Sequence, residues 1–139
     1  MKLAYVDSSV WITRIEGLPK YRQILTQTIT QLLSDDWQLC VSDAVLLEVL
    51  TKPYKQNNLE LIILYRKIFD HARMLKTPSD IFAKALLLIQ SEKLNAMDAV
   101  HVSLALHHHC QSFISTDKHF SQLKSISTKW IDLKITKFN

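Results

Sequence analysis

Four acidic residues stand where this chain has little structural reason to carry charge. Asp7 follows the apolar run Leu3-Ala4-Tyr5-Val6, and Glu48 interrupts Ala44-Val45-Leu46-Leu47-Glu48-Val49-Leu50. Asp98 sits among Ala96, Met97, Ala99 and Val100, and Asp117 closes Phe113-Ile114-Ser115-Thr116. A carboxylate among so many apolar neighbours must face a polar cleft or have a partner, because buried charge is costly unless it is paired or metal-bound. Four such groups in one cleft would repel and raise one another's pKa values. A hard divalent cation relieves that repulsion, and oxygen-only donors suit Mg²⁺ or Mn²⁺ better than Zn²⁺. Mg²⁺ usually keeps several waters, so the cluster would leave room for phosphate oxygens. One such water can attack a phosphorus in line while the ion stabilises the charge building on the phosphoryl group.

Taken singly, each acid has a plainer role. Asp7 or Ser8 can cap a helix, Glu48 can pair at the surface, Asp98 can sit on a helix dipole and Asp117 can shape a turn. Asp35, Asp36, Glu60 and Glu92 lie in polar or element-ending contexts and are assigned to solvent. The elements that carry the four acids decide whether they meet.

Residues 3–6 read as a buried strand. Ser8 or Ser9 then caps a helix to about Glu16, which Gly17-Leu18-Pro19 ends. Apolar residues at helical spacing predict a second helix over 20–33, broken by Ser34-Asp35-Asp36. A second strand covers 38–41. Ser42 or Asp43 caps a helix through Leu50, and Lys52-Pro53 stops it, since the residue before proline is pushed out of the helical region. The pattern continues with a helix over 59–71 and a strand over 73–76. A helix opens at Thr77-Pro78, with proline at its first position, and runs to about Glu92. Another runs from Asn95 or Ala96 to near His108. A strand covers 112–115, and a last one lies around 130–133. Short strands alternating with helices imply a parallel sheet flanked by helices. In such sheets ligands bind at the carboxyl ends of the strands, the edge towards which the topology brings all four acids.

With 139 residues the chain suits one domain, 1–139, and not two. A single glycine makes long flexible loops improbable and rules out the Gly-rich phosphate loop of a dinucleotide-binding protein. The net charge of +4 is compatible with a polyanionic partner but is too small to require one. Cys40 and Cys110, two thiols in apolar surroundings, read as buried and reduced, as in a cytoplasmic protein. The apolar run after Lys2 is cut by Asp7, against a signal peptide, and no stretch has the length of a membrane span. The expectation is a soluble cytoplasmic protein with no membrane partner.

Val6-Asp7-Ser8-Ser9, the helix-borne Glu48, Asp98-Ala99-Val100-His101 and Ser115-Thr116-Asp117-Lys118-His119-Phe120 together resemble the motifs of PIN domains. The resemblance is closest to the small VapC-like ribonuclease toxins of type II toxin–antitoxin pairs. It spans nearly the whole chain, with the acids 41, 50 and 19 residues apart (7 to 48, 48 to 98, 98 to 117). It implies a Rossmann-like three-layer α/β fold with a parallel sheet of five strands in the order 3-2-1-4-5. It also implies a Mg²⁺- or Mn²⁺-dependent endoribonuclease hydrolysing RNA. By position, Asp7, Glu48, Asp98 and Asp117 would be the catalytic and metal-binding quartet, with Ser9 and Thr116 as polar companions. A cognate antitoxin and a homodimer follow as expected partners, for which the apolar helices around 20–33 and 59–71 would offer surface. Two departures concern loop geometry: family members often carry glycine where this chain has His107-His108-His109-Cys110-Gln111, and Asn where it has Thr116.

Other residues invite weaker readings. Three adjacent histidines cannot all chelate one ion from a regular helix, because consecutive side chains point about 100° apart. The run 107–109 therefore reads as a solvated helix end. His101, one turn after Asp98, reads as a packed histidine or a general base facing the same cleft. Lys118 adjoins Asp117 and is the best candidate for a phosphate contact. Trp11, Trp37 and Trp130 are too scattered for a base-stacking platform. A non-catalytic PIN-like module binding RNA or protein is the alternative, but it would have no need of four costly carboxylates. An aspartyl-phosphate phosphatase would want a second Asp where Ser9 stands.

Overall fold

Five strands, β1 (Lys2–Val6), β2 (Trp37–Ser42), β3 (Arg73–Leu75), β4 (Ser112–Ser115) and β5 (Thr128–Trp130), form one sheet in the computed structural model, which describes residues 1–134. The order is β3-β2-β1-β4-β5 and every pairing is parallel, as the resemblance implies. Ala4, Tyr5 and Val6 of β1 and all of β4 are buried, so the central strands read as near-continuous apolar runs covered on both faces. The edge strands β3 and β5 have only three residues each, which limits exposed backbone.

Six helices complete the described residues: α1 (Ser8–Glu16), α2 (Pro19–Ser34), α3 (Asp43–Lys55), α4 (Leu59–Phe69), α5 (Ile81–Glu92) and α6 (Ala96–His107). By the right-handed rule for parallel crossovers, the connections from β1 through β2 to β3 put α1–α4 on one face. The return from β3 to β4 reverses direction and places α5 and α6 on the other. The contacts agree: α1 packs on α2 and α3, α3 on α4, and α5 on α6. One hydrophobic cluster runs through the sheet, α1–α6 and the loop after β4. Cys40 and Cys110, distant in sequence, both lie inside it as buried free thiols. Among the described residues, no helix is long and apolar enough to cross a membrane.

Several boundaries differ from the sequence expectation, each for a local reason. The cap position of α1 is Asp7, not a serine, and its side chain makes no capping bond; Ser8 and Ser9 lie inside the helix. Ser42 does cap α3, accepting from the Val45 N–H, but α3 runs past Pro53 to Lys55. Pro53 is buried near the end of that helix, where packing holds the chain and little helix remains to be disrupted. Pro78 does not open α5: its carbonyl accepts from the Ile81 N–H, making a single turn before the helix starts at Ile81. β5 lies at 128–130 rather than 130–133, with Ile131 N–H bonded to the Ser115 carbonyl just beyond it.

The end of α6 explains the missing glycine. His109 has φ 60°, the left-handed region that glycine occupies most cheaply. Its N–H bonds to the Leu106 carbonyl and that of Cys110 to the Ala105 carbonyl, the paired bonds of a Schellman stop. His109 thus stands at the glycine position of this helix end.

Candidate active site

The site forms where strands end and helices begin. β1 delivers Asp7 beyond its last residue, and the Asp7 N–H bonds to the Ile114 carbonyl of β4. β4 delivers Asp117 two residues after its end, α3 carries Glu48 in its second turn, and α6 carries Asp98 in its first. All four carboxylates line one cleft of about 450 Å³ with Ser8, Ser9, Ile12 and Thr51. The sequence-distant acids are therefore brought together.

The serines serve the carboxylates rather than the helix backbone. Ser9 Oγ and Ser115 Oγ each donate to Asp7 Oδ2 at 2.8 Å, and Ser8 Oγ donates to Glu48 Oε1 at 2.6 Å. Ser115 also accepts from the Asp117 N–H at 2.9 Å, tying the first acid to the last. Thr116 takes part through its backbone: its N–H bonds to Ser9 Oγ at 3.2 Å and its carbonyl accepts from the Trp130 indole at 3.3 Å. Asp117 Oδ1 caps the 3₁₀ turn 118–120 through the His119 N–H. Lys118 does not line the acidic cleft; it lines a neighbouring cavity with Glu92, Leu94 and His119.

The electrostatics divide the acids. Asp98 is held above the usual carboxylate range, first by burial and then by the charges of Asp117 and Asp7, with His119 and His101 opposing. Burial also pushes Glu48 upward, but the bonds from His101 and Ser8 outweigh it and its pKa falls below the usual range. The exposed His119 ring lies 3.3 Å from Asp117 Oδ1 and 3.7 Å from Asp98 Oδ2.

The donor chemistry fits a divalent cation. Four carboxylates share the cleft, and Asp98 is raised by burial and then by the charges of Asp117 and Asp7, an imbalance that a hard ion relieves. Carboxylate oxygens of Asp7 and Glu48 and a ring nitrogen of His101 also lie within 4.8 Å of one another.

Sequence reasoning missed Ser8 and Ser115 as partners of the acids. The signal was there in part, since Ser8 adjoins Asp7 and Ser115 lies two residues before Asp117. The histidine run disperses as expected of a helix end. His107 Nδ1 meets Lys84 Nζ at 2.9 Å, His108 Nε2 bonds to the Lys76 carbonyl, and His109 occupies the turn. The expected apolar surface of α2 is largely core, with Leu25, Ile29 and Leu32 buried.

Comparison with known proteins bears directly on this arrangement. No curated protein sequence matches the chain. Solved structures do match in fold. A toxin–antitoxin complex from Klebsiella pneumoniae gives a TM-score of 0.68 at 21% identity, over 92% of this chain and 99% of that one. VapBC-1 from nontypeable Haemophilus influenzae gives 0.73 at 16% identity, over 92% and 97%. VapC20 from Mycobacterium tuberculosis, a sarcin-ricin loop cleaving toxin, gives 0.58 at 15% identity, over 98% and 96%. The family model of the PIN domain matches residues 4–126, a span that contains all four acids, and the chain accordingly belongs to the PIN domain family.

Proposed function

We propose that the protein is a Mg²⁺- or Mn²⁺-dependent endoribonuclease that hydrolyses RNA phosphodiester bonds, acting as the toxin of a type II toxin–antitoxin pair in the cytoplasm. The observation that carries this reading is the convergence of Asp7, Glu48, Asp98 and Asp117, from four different elements, on one cleft of a PIN domain. These four carboxylates would hold the ion, with Ser9 and the Thr116 backbone as companions. When bound, the ion supplies charge stabilisation at the phosphoryl group and a more acidic water. The chain's own work is positioning. Ser9 and Ser115 fix Asp7, Ser8 fixes Glu48, and the Ser115 bond to the Asp117 N–H keeps the two strand ends in register. The substrate backbone is steered by basic groups near the cleft, with Lys118 on the Asp117 side and Lys52, one turn after Glu48, on the other.

The toxin reading is supported by the fold neighbours, several of which are toxin–antitoxin complexes. Antitoxin and second copy are assigned to the exposed apolar surfaces: the groove of about 550 Å³ between α3 and α4 with Leu46, Leu47, Leu50 and Tyr54, and the α5 face with Phe82, Leu86 and Leu87.

The test is cleavage of a mixed RNA pool by purified wild type and Asp98→Asn, with Mn²⁺ or Mg²⁺ and with EDTA. Cleavage should appear only in wild type with metal. Removing one ligand of a charge-stabilising ion should cost at least about 3 kcal/mol of activation free energy, roughly 100-fold in rate. Cutting by Asp98→Asn at the wild-type rate, or cutting that survives EDTA, would show the proposed site to be wrong.

A further inference from the structure

His101 sits in α6 one turn after Asp98, and it is 1% exposed. Its imidazole has a partner on each nitrogen. Nε2 lies 2.5 Å from Glu48 Oε1 and Nδ1 lies 2.7 Å from the Tyr5 hydroxyl. The Tyr5 oxygen also lies 2.7 Å from Ser42 Oγ, the hydroxyl that caps α3. A chain of hydrogen bonds therefore runs from the cap of α3, through β1 and α6, back to the acid in the second turn of α3. Tyr5 is itself fixed, fully buried and stacked on Phe113 with ring centroids 5.3 Å apart.

We infer that His101 is a positioning residue of the acidic site, held by Tyr5, that fixes Glu48 so that its Oε2 is left to serve a divalent cation. This rests on the metal-dependent reading above and adds to it a residue outside the acidic quartet. The carboxylate can only accept, so Nε2 carries a hydrogen toward Glu48. Hydrogens assigned in one direction, from Ser42 to Tyr5, Tyr5 to Nδ1 and Nε2 to Glu48, then satisfy each group in turn. Glu48 Oε1 takes two donors, His101 and Ser8, whereas Oε2 has no bond among the described residues.

Proximity alone would make His101 a third ligand beside Asp7 and Glu48. Its bonding opposes that, because either nitrogen would have to give up a short bond inside the core to reach an ion. A directly bound imidazole would also turn an all-oxygen site into a mixed one suited to later transition metals. As a donor to Glu48 it keeps the donor set hard, and partners of this kind typically change metal affinity 10–100-fold when removed.

The test measures Mn²⁺ affinity from the loss of the free-ion electron paramagnetic resonance signal, in wild type, Asp98→Asn, His101→Leu, His101→Gln and Tyr5→Phe. Melting in EDTA identifies the variants that fold. His101→Leu should bind Mn²⁺ about 10–100-fold more weakly. His101→Gln, whose amide N–H reaches near the place of Nε2, should recover most of that loss. Tyr5→Phe should bind less tightly than wild type but better than His101→Leu. Electron spin-echo modulation of bound Mn²⁺ in wild type should show no directly coordinated nitrogen. The inference is overturned if folded His101→Leu binds like wild type, if folded Gln and Leu variants are equally impaired, or if direct nitrogen coupling appears. Should His101→Leu not fold, wild-type affinity in both His101→Gln and Tyr5→Phe overturns it, and a graded loss with Tyr5→Phe supports it. Normal binding by His101→Leu with loss in Asp98→Asn sinks this inference alone. Absence of Mn²⁺ binding by wild type sinks it together with the metal-dependent reading.

Discussion

The acidic cleft and the histidine run are the two places where composition suggests a metal, and they end differently. The run His107-His108-His109 is adjacent in sequence, yet the His107 ring meets Lys84, the His108 ring meets the Lys76 carbonyl, and the His109 backbone forms a helix-stopping turn. Successive acids are separated by as many as 50 residues, yet all four share one cleft. Adjacency on a helix disperses side chains by about 100° per residue. A parallel sheet does the reverse, because every strand delivers its last residues to the same edge. Convergence is therefore a property of topology, and spacing along the chain is a poor guide to it.

The largest expected effect would come from exchanging perturbations between the two regions. Asp7→Asn should lower RNA cleavage by about 100-fold or more, since Asp7 is the carboxylate on which Ser9 and Ser115 both converge. The double variant His107→Ala, His108→Ala should cleave at the wild-type rate and bind Mn²⁺ with wild-type affinity. Its expected cost is stability of about 1 kcal/mol from the lost bond to Lys76. Loss of cleavage in the histidine variant, assayed beside Asp7→Asn on the same RNA, would break the distinction.

The elements behind this contrast were legible to different degrees. Most strand positions and the four acids could be read because apolar runs, helical periodicity and charge in apolar settings are all local signals, whereas the sheet order followed only from the family resemblance. The helix limits near Pro53 and Pro78 could not, since whether a proline stops a helix depends on the packing around it. Ser8 looked like a cap because serine does cap helices; only the arrival of Glu48 from α3 gives its hydroxyl a better acceptor. His101 likewise gains its meaning from Tyr5 and Glu48, which lie 96 and 53 residues away. The exposed α5 face carries a strong apolar signal, but sequence alone does not say which apolar faces are core and which are free.

A middle-sized effect concerns the cost of holding the Asp98 carboxylate half-buried beside Asp117 and Asp7. The folded state holds the Asp98 pKa above its ordinary value, so folding favours the protonated form. The resulting penalty is absent below the ordinary value near pH 3.9 and is complete once the pH exceeds the raised folded value. Glu48 behaves oppositely: its lowered pKa contributes stability at neutral pH that is lost as pH falls through the folded value. In EDTA at pH 7, Asp98→Asn should therefore melt higher than wild type, by roughly 1 kcal/mol or a few degrees. The advantage should vanish as the pH is lowered past about 4. Saturating Mn²⁺ should reverse its sign, because wild type gains binding energy that the variant has lost. Thermal melts across pH, with and without metal, read all three. An Asp98→Asn variant less stable than wild type in EDTA at pH 7 would mean that burial and neighbouring charge do not penalise the Asp98 carboxylate.

The smallest effect isolates the histidine run as backbone architecture. His109 adopts φ 60° at the stop of α6, a conformation that costs a residue with a Cβ about 1–2 kcal/mol relative to the right-handed helical region. Glycine escapes that cost but loses more conformational freedom on folding, so the two terms partly cancel. His109→Gly should consequently raise stability by about 0.5–1 kcal/mol, provided that the exposed imidazole makes no compensating contact. The bonds from the His109 and Cys110 N–H groups to Leu106 and Ala105 are backbone bonds and survive the exchange. Mn²⁺ affinity should stay unchanged, since no side chain of the cleft is touched. A drop in melting temperature would show that the His109 ring contributes more than its strained backbone costs. A drop in Mn²⁺ affinity would instead mean that the end of α6 helps to set Asp98 at its beginning, and the two regions would no longer be independent.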